Sequence, residues 1–307
     1  MDRTSHYQVV HNSTMPFTLH KAERQQAKLR IGINGPSGAG KTYSALLLAY
    51  GITGDWDKIA VIDTENGSAS LYAHLGAFNT MTLEAPYTPE RYVEAIRACE
   101  DAGMEVILID STSHEWEGEG GCLQINDKLA QTKFRGNTWA AWSETTPRHR
   151  AFIDAIVTSQ AHIITSTRNK TDSVMTEDKK VKKVGTKEIQ REGFEYELTV
   201  NFNLDRDKHY ATASKDRTGM FIDRDAFVIT EATGKELTEW AQSGKEVTPP
   251  KKEKSVTKND VADFVRKMEP GIENANIKTR IVELTGLDPS TEEPNKVLTA
   301  LVKAAKK

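Results

Sequence analysis

A glycine-rich segment, GPSGAGKT at residues 35–42, constrains the fold of this chain more than any other feature. It matches the pattern G-x-x-x-x-G-K-[S/T] in full, and it lies between a short apolar run, LRIGIN, and an apolar stretch at helical spacing, YSALLLAYGI. Glycines permit backbone conformations that turn successive N–H groups toward one point. A strand, such a loop and a helix N-terminus in this order predict a phosphate-binding site.

The loop also predicts roles for its side chains. Lys41 is expected to bridge the β- and γ-phosphates of ATP, and the Thr42 hydroxyl is expected to bind Mg²⁺. The candidate nucleotide-binding residues are Gly35, Pro36, Ser37, Gly38, Ala39, Gly40, Lys41, Thr42 and Tyr43. We therefore interpret the chain as a P-loop NTPase with ATP and Mg²⁺ as its cofactors.

Two carboxylates follow predicted strands. Asp110 ends the apolar run EVILID, which is the Walker-B arrangement for a second magnesium-binding residue. Glu65 stands just past KIAVID, where a carboxylate can orient the water that attacks the γ-phosphate. Three alternatives to Glu65 lie farther along a loop: Glu115, Glu117 and Glu119. Ser111 follows Asp110 where AAA+ ATPases have a catalytic glutamate, so the AAA+ branch is expected to fit poorly.

Strands alternate with helices between residues 29 and 241, which predicts an α/β core with a mostly parallel sheet flanked by helices. Residues 1–28 form a polar extension with a short strand near residues 7–10. Residues 242–256 are rich in lysine and contain two prolines, as is typical of a linker. Residues 257–307 predict a small helical domain.

Composition excludes several classes of protein. The 41 Lys and Arg residues nearly balance the 44 Asp and Glu residues, which excludes a strongly basic, histone-like protein. A local basic patch is still compatible with this balance. Two cysteines, Cys99 on a predicted helix and Cys122 in a predicted loop, exclude a disulfide scaffold and a Cys-rich zinc module. The eight histidines show no paired metal-binding spacing. No apolar stretch approaches 18 residues, so we expect a cytoplasmic protein without a membrane partner.

Several segments resemble the RecA superfamily of ATPases: GPSGAGKT, VIDTE, VILIDS and IITSTR occur in this order. More specifically, the chain is similar to short phage and prophage RecA-like ATP-binding proteins associated with recombination and single-strand annealing. The segments that carry this similarity are FTLHKAERQQAKLRI, IDTENGSASLYA, DSTSHEWEGEGG, TPRHR, QREGFEYEL and SKDRTGMF. The resemblance covers about residues 17–229 and implies a RecA-like ATPase core.

The resemblance implies an ATP-dependent protein that acts on single-stranded DNA in phage recombination or annealing, in the cytoplasm of the host cell. It also implies a homo-oligomer, either a ring or a filament, with nucleotide at the subunit interfaces. A further implied partner is a single-strand-binding or annealing protein. Two other functions stay open. One is a DNA helicase or a helicase-loading ATPase, and the other is a nucleotide-gated DNA-binding assembly module with incidental hydrolysis.

The resemblance further implies roles for four polar residues. Thr167 and Arg168 fall where the superfamily places a sensor that couples the γ-phosphate to the DNA-binding loops. This chain has no glutamine at that position. Lys215 and Arg217 resemble the K-x-R that RecA-like ring helicases project into the nucleotide of the neighbouring subunit. Such cations stabilise charge on the transferred phosphoryl group.

Candidate DNA contacts combine an aromatic residue with a basic segment. Trp116 stands beside glycines and is a candidate for stacking on unpaired bases. Trp139 and Trp142, three residues apart, favour the core face of a helix. Residues 169–193 are polar and charged, which is also typical of a solvated loop or hairpin. The dense basic part of that segment contains the candidate phosphate-binding residues Lys179, Lys180, Lys182 and Lys183.

Overall fold

The computed structural model of this chain describes residues 21–175, 181–245, 258–292 and 294–305. The chain divides into two units, Met1–Glu246 and Val247–Lys307. The short strand expected near residues 7–10 lies outside the described residues, as does most of the expected linker.

One sheet forms the centre of the first unit. Its strands among the described residues are β1 (Arg30–Gly35), β2 (Ile59–Asp63), β3 (Asn79–Thr82), β4 (Val106–Asp110), β5 (His162–Met175), β6 (Val181–Glu188), β7 (Val200–Leu204) and β8 (Ala211–Asp216). The strand order is β3-β2-β4-β5-β1-β7-β8, and every pair up to β7 is parallel. β8 and β6 pair antiparallel with β7 and β5. The predicted α/β fold with a mostly parallel sheet is confirmed.

Helices cover both faces of this sheet. They are α1 (Lys41–Thr53), α2 (Pro89–Asp101), α3 (Ser113–Glu117), α4 (Cys122–Thr132), α5 (Thr138–Thr158) and α6 (Glu231–Gln242). Because neighbouring residues of a strand point to opposite faces, β2 contributes to two hydrophobic clusters. Val61 packs with α1 and α6 near Leu46, whereas Ile62 packs with α2 and α5 near Phe152. Burial on both faces explains why the central strands are continuously apolar.

The sheet brings the ends of distant strands together. Gly35 at the end of β1 is in register with Arg168 of β5, and Asp63 at the end of β2 is in register with Asp110 of β4. The carboxyl ends of these parallel strands therefore meet at one edge of the sheet, where such folds bind their ligands. The phosphate loop starts at that edge.

The structure differs from the sequence-based expectations at several elements. β3 is a short edge strand of mostly exposed polar residues, so no apolar run predicted it. α4 occupies the expected loop around Cys122. The sequence predicts a helical stretch around residues 147–159, whereas α5 begins at Thr138 and runs through Pro147. The segment AFVIT at residues 226–230 predicts a short strand, but it forms only one bridge, between Ala211 and Phe227.

The second unit contains three described helices, α7 (Lys258–Met268), α8 (Asn274–Thr285) and α9 (Pro294–Ala304). They enclose a small apolar core that includes Val265, Ile281 and Leu301. Within the described parts of both units, no helix combines the length and the apolar character that crossing a bilayer requires.

Candidate nucleotide site and the adjacent groove

The phosphate loop has the backbone geometry that its sequence requires. Gly38 and Gly40 have φ angles of 81° and 85°, in the left-handed region that glycine adopts without steric cost. α1 begins at Lys41 directly after Gly40, which provides no side-chain cap for the first N–H groups of the helix. Those donors and the positive end of the helix make an anion-binding site.

The side chain of Lys41 bends back against this loop. Its Nζ donates hydrogen bonds to the carbonyl oxygens of Gly35 and Pro36, each at 3.0 Å. Burial lowers the pKa of Lys41, and the nearby carboxylates of Asp110 and Glu65 oppose that shift. The ammonium group therefore lies inside the loop, at hydrogen-bond distance from its first carbonyls, where a bound polyphosphate would replace backbone oxygens as its acceptor.

Asp110 and Thr42 are in direct contact. The Thr42 hydroxyl donates to Asp110 Oδ2 at 2.5 Å, and the Ser166 hydroxyl donates to Oδ1 of the same carboxylate. Asp110 is 3% exposed, and burial raises its pKa although both hydroxyls oppose the shift. A hydroxyl and a carboxylate beside the phosphate loop are the hard oxygen donors that Mg²⁺ prefers. The residues present thus fit a magnesium ion.

Glu65 lies in the wall of the same pocket and pairs with Arg168. Arg168 Nε donates to Glu65 Oε1 at 2.8 Å, and its Nη2 donates to Oε2, so the ion pair is bidentate. Burial raises the pKa of Glu65, but the hydrogen bonds and charge of Arg168 outweigh burial and hold that pKa below its ordinary value. The glutamate is therefore a carboxylate, and both of its oxygens are engaged by the guanidinium.

The pocket has a volume of about 400 Å³ and a polar lining. Besides the loop, its wall includes Glu65, Asp110, Arg168, Tyr72 and Asn169. Among the described residues, buried Asn169 Oδ1 has no hydrogen-bond partner, which leaves an acceptor for a polar ligand in this wall.

The three alternative acids lie elsewhere. Glu115 is fully buried and accepts hydrogen bonds from Cys122 and His149, while Glu117 and Glu119 are exposed. None of the three lines the nucleotide pocket in the described part of the chain. The geometry thus favours Glu65 as the acid that faces a bound triphosphate.

The predicted sensor residues have different surroundings. Thr167 is fully buried, and its hydroxyl lies 3.1 Å from the hydroxyl of Thr112. Arg168 reaches the pocket and contacts Glu65, a pairing that the sequence does not reveal because the two residues are 103 positions apart.

Two basic residues of the β7–β8 turn also approach the phosphate loop. His209 Nδ1 lies 3.0 Å from the carbonyl oxygen of Ala39. The Arg206 guanidinium stands next to Gly38, where an added Cβ atom would be 3.8 Å from its Nε. No pattern in the sequence connects this turn to a loop about 170 residues earlier, so both residues were missed.

Lys215 and Arg217 point away from the nucleotide pocket of their own chain. Lys215 Nζ donates to the carbonyl oxygen of Glu195 at 2.7 Å, and Arg217 Nη2 donates to that of Tyr196 at 2.5 Å. Neither residue is part of the described pocket wall. Both residues therefore lie outside the nucleotide pocket of their own chain, and their role in a neighbouring subunit stays a prediction.

A second depression, of about 590 Å³, lies beside the nucleotide pocket; we call it the tryptophan groove. Three aromatic and three basic residues line it: Trp116, Trp139, Trp142, Lys170, Lys187 and Arg191. The rings of Trp116 and Trp142 are stacked with centroids 5.6 Å apart, and Arg191 lies over Trp142 at 5.5 Å. The groove thus presents aromatic faces beside three basic side chains, together with the acids Glu188 and Glu192.

The core-face expectation for Trp139 is wrong, and Trp142 lies in the groove wall. Trp139 is 85% exposed because it lies on the side of α5 opposite the buried face, which includes Ala141 and Phe152. Of the four candidate lysines, Lys179 and Lys180 lie outside the described residues. Lys182 and Lys183 belong to β6, where their backbones pair with Val174 and Ser173.

The groove and the nucleotide pocket share a wall. Ile189 lines both, and its backbone N–H donates to the carbonyl oxygen of Arg168 at 2.8 Å. The next residue, Gln190, donates from Nε2 to the carbonyl oxygen of Thr112 at 3.0 Å. A segment of two residues therefore touches the pocket arginine, the loop after β4 and the groove.

One edge of the parallel sheet carries the phosphate loop, the pair of Thr42 and Asp110, and Glu65 just past β2, the strand beside β4. This arrangement defines a P-loop ATPase. The chain belongs to the AAA_24 family, described as an AAA domain, whose model matches residues 27–228. The match supports a nucleotide-hydrolysing ATPase. The expectation that the AAA+ branch fits poorly, based on Ser111, stays a prediction, because the family is described only as an AAA domain. No curated protein matches the chain.

Proposed function

We propose that this protein is a Mg²⁺-dependent ATPase that acts on single-stranded DNA in phage recombination or strand annealing. The observation that carries the proposal is the shared wall: an ATP-binding pocket and an aromatic, basic groove meet at Ile189. The resemblance to phage RecA-like proteins supports the recombination role.

The nucleotide pocket supplies each part that hydrolysis requires. Lys41 and the loop N–H groups bind and orient the polyphosphate, and Thr42 and Asp110 would hold Mg²⁺. When bound, the metal neutralises charge on the phosphate oxygens. Glu65 accepts a hydrogen bond from the attacking water and takes its proton.

Arg168 determines when Glu65 can do this. In this structure both carboxylate oxygens of Glu65 accept hydrogen bonds from the Arg168 guanidinium. A γ-phosphate in the pocket is a second anion that can bind the same guanidinium. We infer that Arg168 exchanges Glu65 for the γ-phosphate, which frees the glutamate to orient water.

The tryptophan groove suits unpaired nucleotides. Stacking on aromatic rings is available to bases that are not paired, and nearby lysine and arginine residues attract phosphates. Two acids also line the groove. Glu188 accepts hydrogen bonds from the side-chain amides of Asn34 and Asn201, and Glu192 lies 3.9 Å from Lys187 Nζ. Because Ile189 and Gln190 connect the groove to Arg168 and to the loop after β4, a strand bound in the groove can shift the position of Arg168.

Removing groove tryptophans is expected to weaken binding of single-stranded DNA. Trp116→Ala and Trp139→Ala should each raise the Kd by about 5- to 150-fold, since one stacked base contributes about 1–3 kcal/mol. Fluorescence anisotropy with a labelled oligonucleotide and a non-hydrolysable ATP analogue measures this. Trp240→Ala in α6 is the matched control, because Trp240 packs under Arg24 and is not part of the described groove.

Wild-type affinity in both groove variants would contradict this assignment. ATP turnover measured with single strands, with duplex and without DNA separates the alternatives. Stimulation by single strands supports the proposal, and turnover indifferent to DNA favours the nucleotide-gated module. Strand separation on a forked substrate favours a helicase.

We also propose that the protein acts as a homo-oligomer in which Lys215 and Arg217 reach the nucleotide of a neighbouring subunit. Arg217→Ala is expected to reduce ATP turnover by only about tenfold, because Lys215 remains to share the role. ATP binding by the monomer should be unchanged, because Arg217 is proposed to act on the nucleotide of a neighbour. Turnover at rising protein concentration and ATP binding at low concentration measure the two effects. Equal loss of binding and turnover would contradict a role across the interface.

A further inference from the structure

Three potential metal-binding side chains converge beneath the tryptophan groove. They come from three helices: Glu115 from α3, Cys122 from α4 and His149 from α5. Cys122 Sγ and His149 Nδ1 each lie 3.0 Å from Glu115 Oε1, and the three ligand atoms are all within 4.8 Å of one another. All three residues are buried.

The buried negative charge of the Glu115 carboxylate requires a compensating positive charge. Glu115 is fully buried, and among the described residues its ion pair is with His149 alone, which is charged only when protonated. Buried carboxylates are normally paired with a fixed cation or bound to a metal. A divalent ion bound by ionised Glu115, ionised Cys122 and neutral His149 would have no net charge, which is the favourable state for a buried site.

The donor set also indicates which metal. One thiolate, one imidazole and one carboxylate are the ligands of zinc, whereas Mg²⁺ and Ca²⁺ take oxygen ligands. Burial and the neighbouring Glu115 carboxylate raise the pKa of the Cys122 thiol, so zinc would have to displace the thiol proton when it binds.

We propose that Glu115, Cys122 and His149 bind one zinc ion, with a water molecule as the fourth ligand. The ion would tie α3, α4 and α5 together. Trp116 directly follows Glu115, and its ring contacts the His149 ring edge-on at 5.4 Å. The site therefore supports the aromatic wall of the groove, and it is separate from the magnesium-binding pair at the nucleotide.

The sequence does not reveal this site. The ligands are separated by 7 and 27 positions and do not match a zinc-binding spacing such as C-x-x-C. Only the packing of three helices brings them together.

Metal analysis of tag-free protein grown with zinc tests the proposal. We expect about one zinc ion per chain in the wild type and at least about a tenfold loss in Cys122→Ser. Cys99→Ser is the matched control, because Cys99 is also a buried cysteine and belongs to α2, outside the cluster. It should retain the zinc. Lys41→Ala should retain it as well, so the result is independent of the ATPase function.

Cobalt substitution of the wild-type protein gives a second test that does not depend on the folding of a variant. Bound Co²⁺ with a cysteine ligand should give a thiolate-to-cobalt charge-transfer absorption in the near ultraviolet. Wild-type protein without zinc and without this absorption would overturn the proposal. Zinc retained equally by Cys122→Ser and Cys99→Ser would also overturn it.

Discussion

Replacing Lys41 with alanine is expected to reduce ATP turnover by about 1,000-fold. The ammonium group lies within the loop beside Gly35 and Pro36, and we propose that it balances charge on the β- and γ-phosphates. The loss should affect binding as well as hydrolysis, because the same group holds the ground-state nucleotide. Steady-state phosphate release and fluorescent nucleotide binding measure the two effects.

Lys245→Ala is a suitable control for this variant. Lys245 is exposed and pairs with Glu23, so its removal should leave turnover unchanged. ATP turnover by Lys41→Ala at the wild-type rate would contradict the role of the phosphate loop.

Replacing Glu65 with glutamine is expected to reduce hydrolysis by about 100- to 10,000-fold and to leave ATP binding nearly unchanged. Glutamine preserves the shape of the side chain but cannot take a proton from water, and general bases contribute a factor of this size. Single-turnover hydrolysis with saturating ATP separates the chemical step from binding.

Glu119→Gln is the matched control, because Glu119 is an exposed acid of the alternative group. It should hydrolyse ATP at the wild-type rate. If Glu119→Gln lost activity and Glu65→Gln kept it, Glu65 could not be the residue that activates water.

The core of the fold and the phosphate loop could be predicted because their signals are local. The glycine pattern lies between a strand and a helix that directly adjoin it, and strands buried on both faces are continuously apolar. Asp110 could be predicted for the same reason, because it ends such a strand.

Features that depend on contacts between distant segments could not be predicted. The pairing of Glu65 with Arg168, the approach of His209 to the loop and the wall at Ile189 all arise from the order of strands in the sheet. The expectation for Trp139 was wrong because the spacing of two tryptophans does not show which face of their helix is buried. The buried face of α5 runs through Ala141, Thr145 and Phe152, and Trp139 lies on the opposite side of the helix.

The pairing of Glu65 with Arg168 gives the proposed ATPase a resting state. While the guanidinium binds both carboxylate oxygens, Glu65 cannot orient water. In the proposed mechanism hydrolysis therefore requires an event that moves Arg168 away from Glu65. In the mechanism that we propose, nucleotide and DNA would both influence that event, because β5 carries Arg168 and the adjoining Ile189 segment lines the groove.

A structure of the protein with Mg²⁺, a non-hydrolysable ATP analogue and a single-stranded oligonucleotide tests the central claim most directly. The account predicts phosphates within hydrogen-bond distance of Lys41 Nζ, with Arg168 on the γ-phosphate and the Glu65 carboxylate facing a water in line with the terminal phosphorus. A nucleotide bound elsewhere, or Glu65 still paired with Arg168 in that complex, would contradict it.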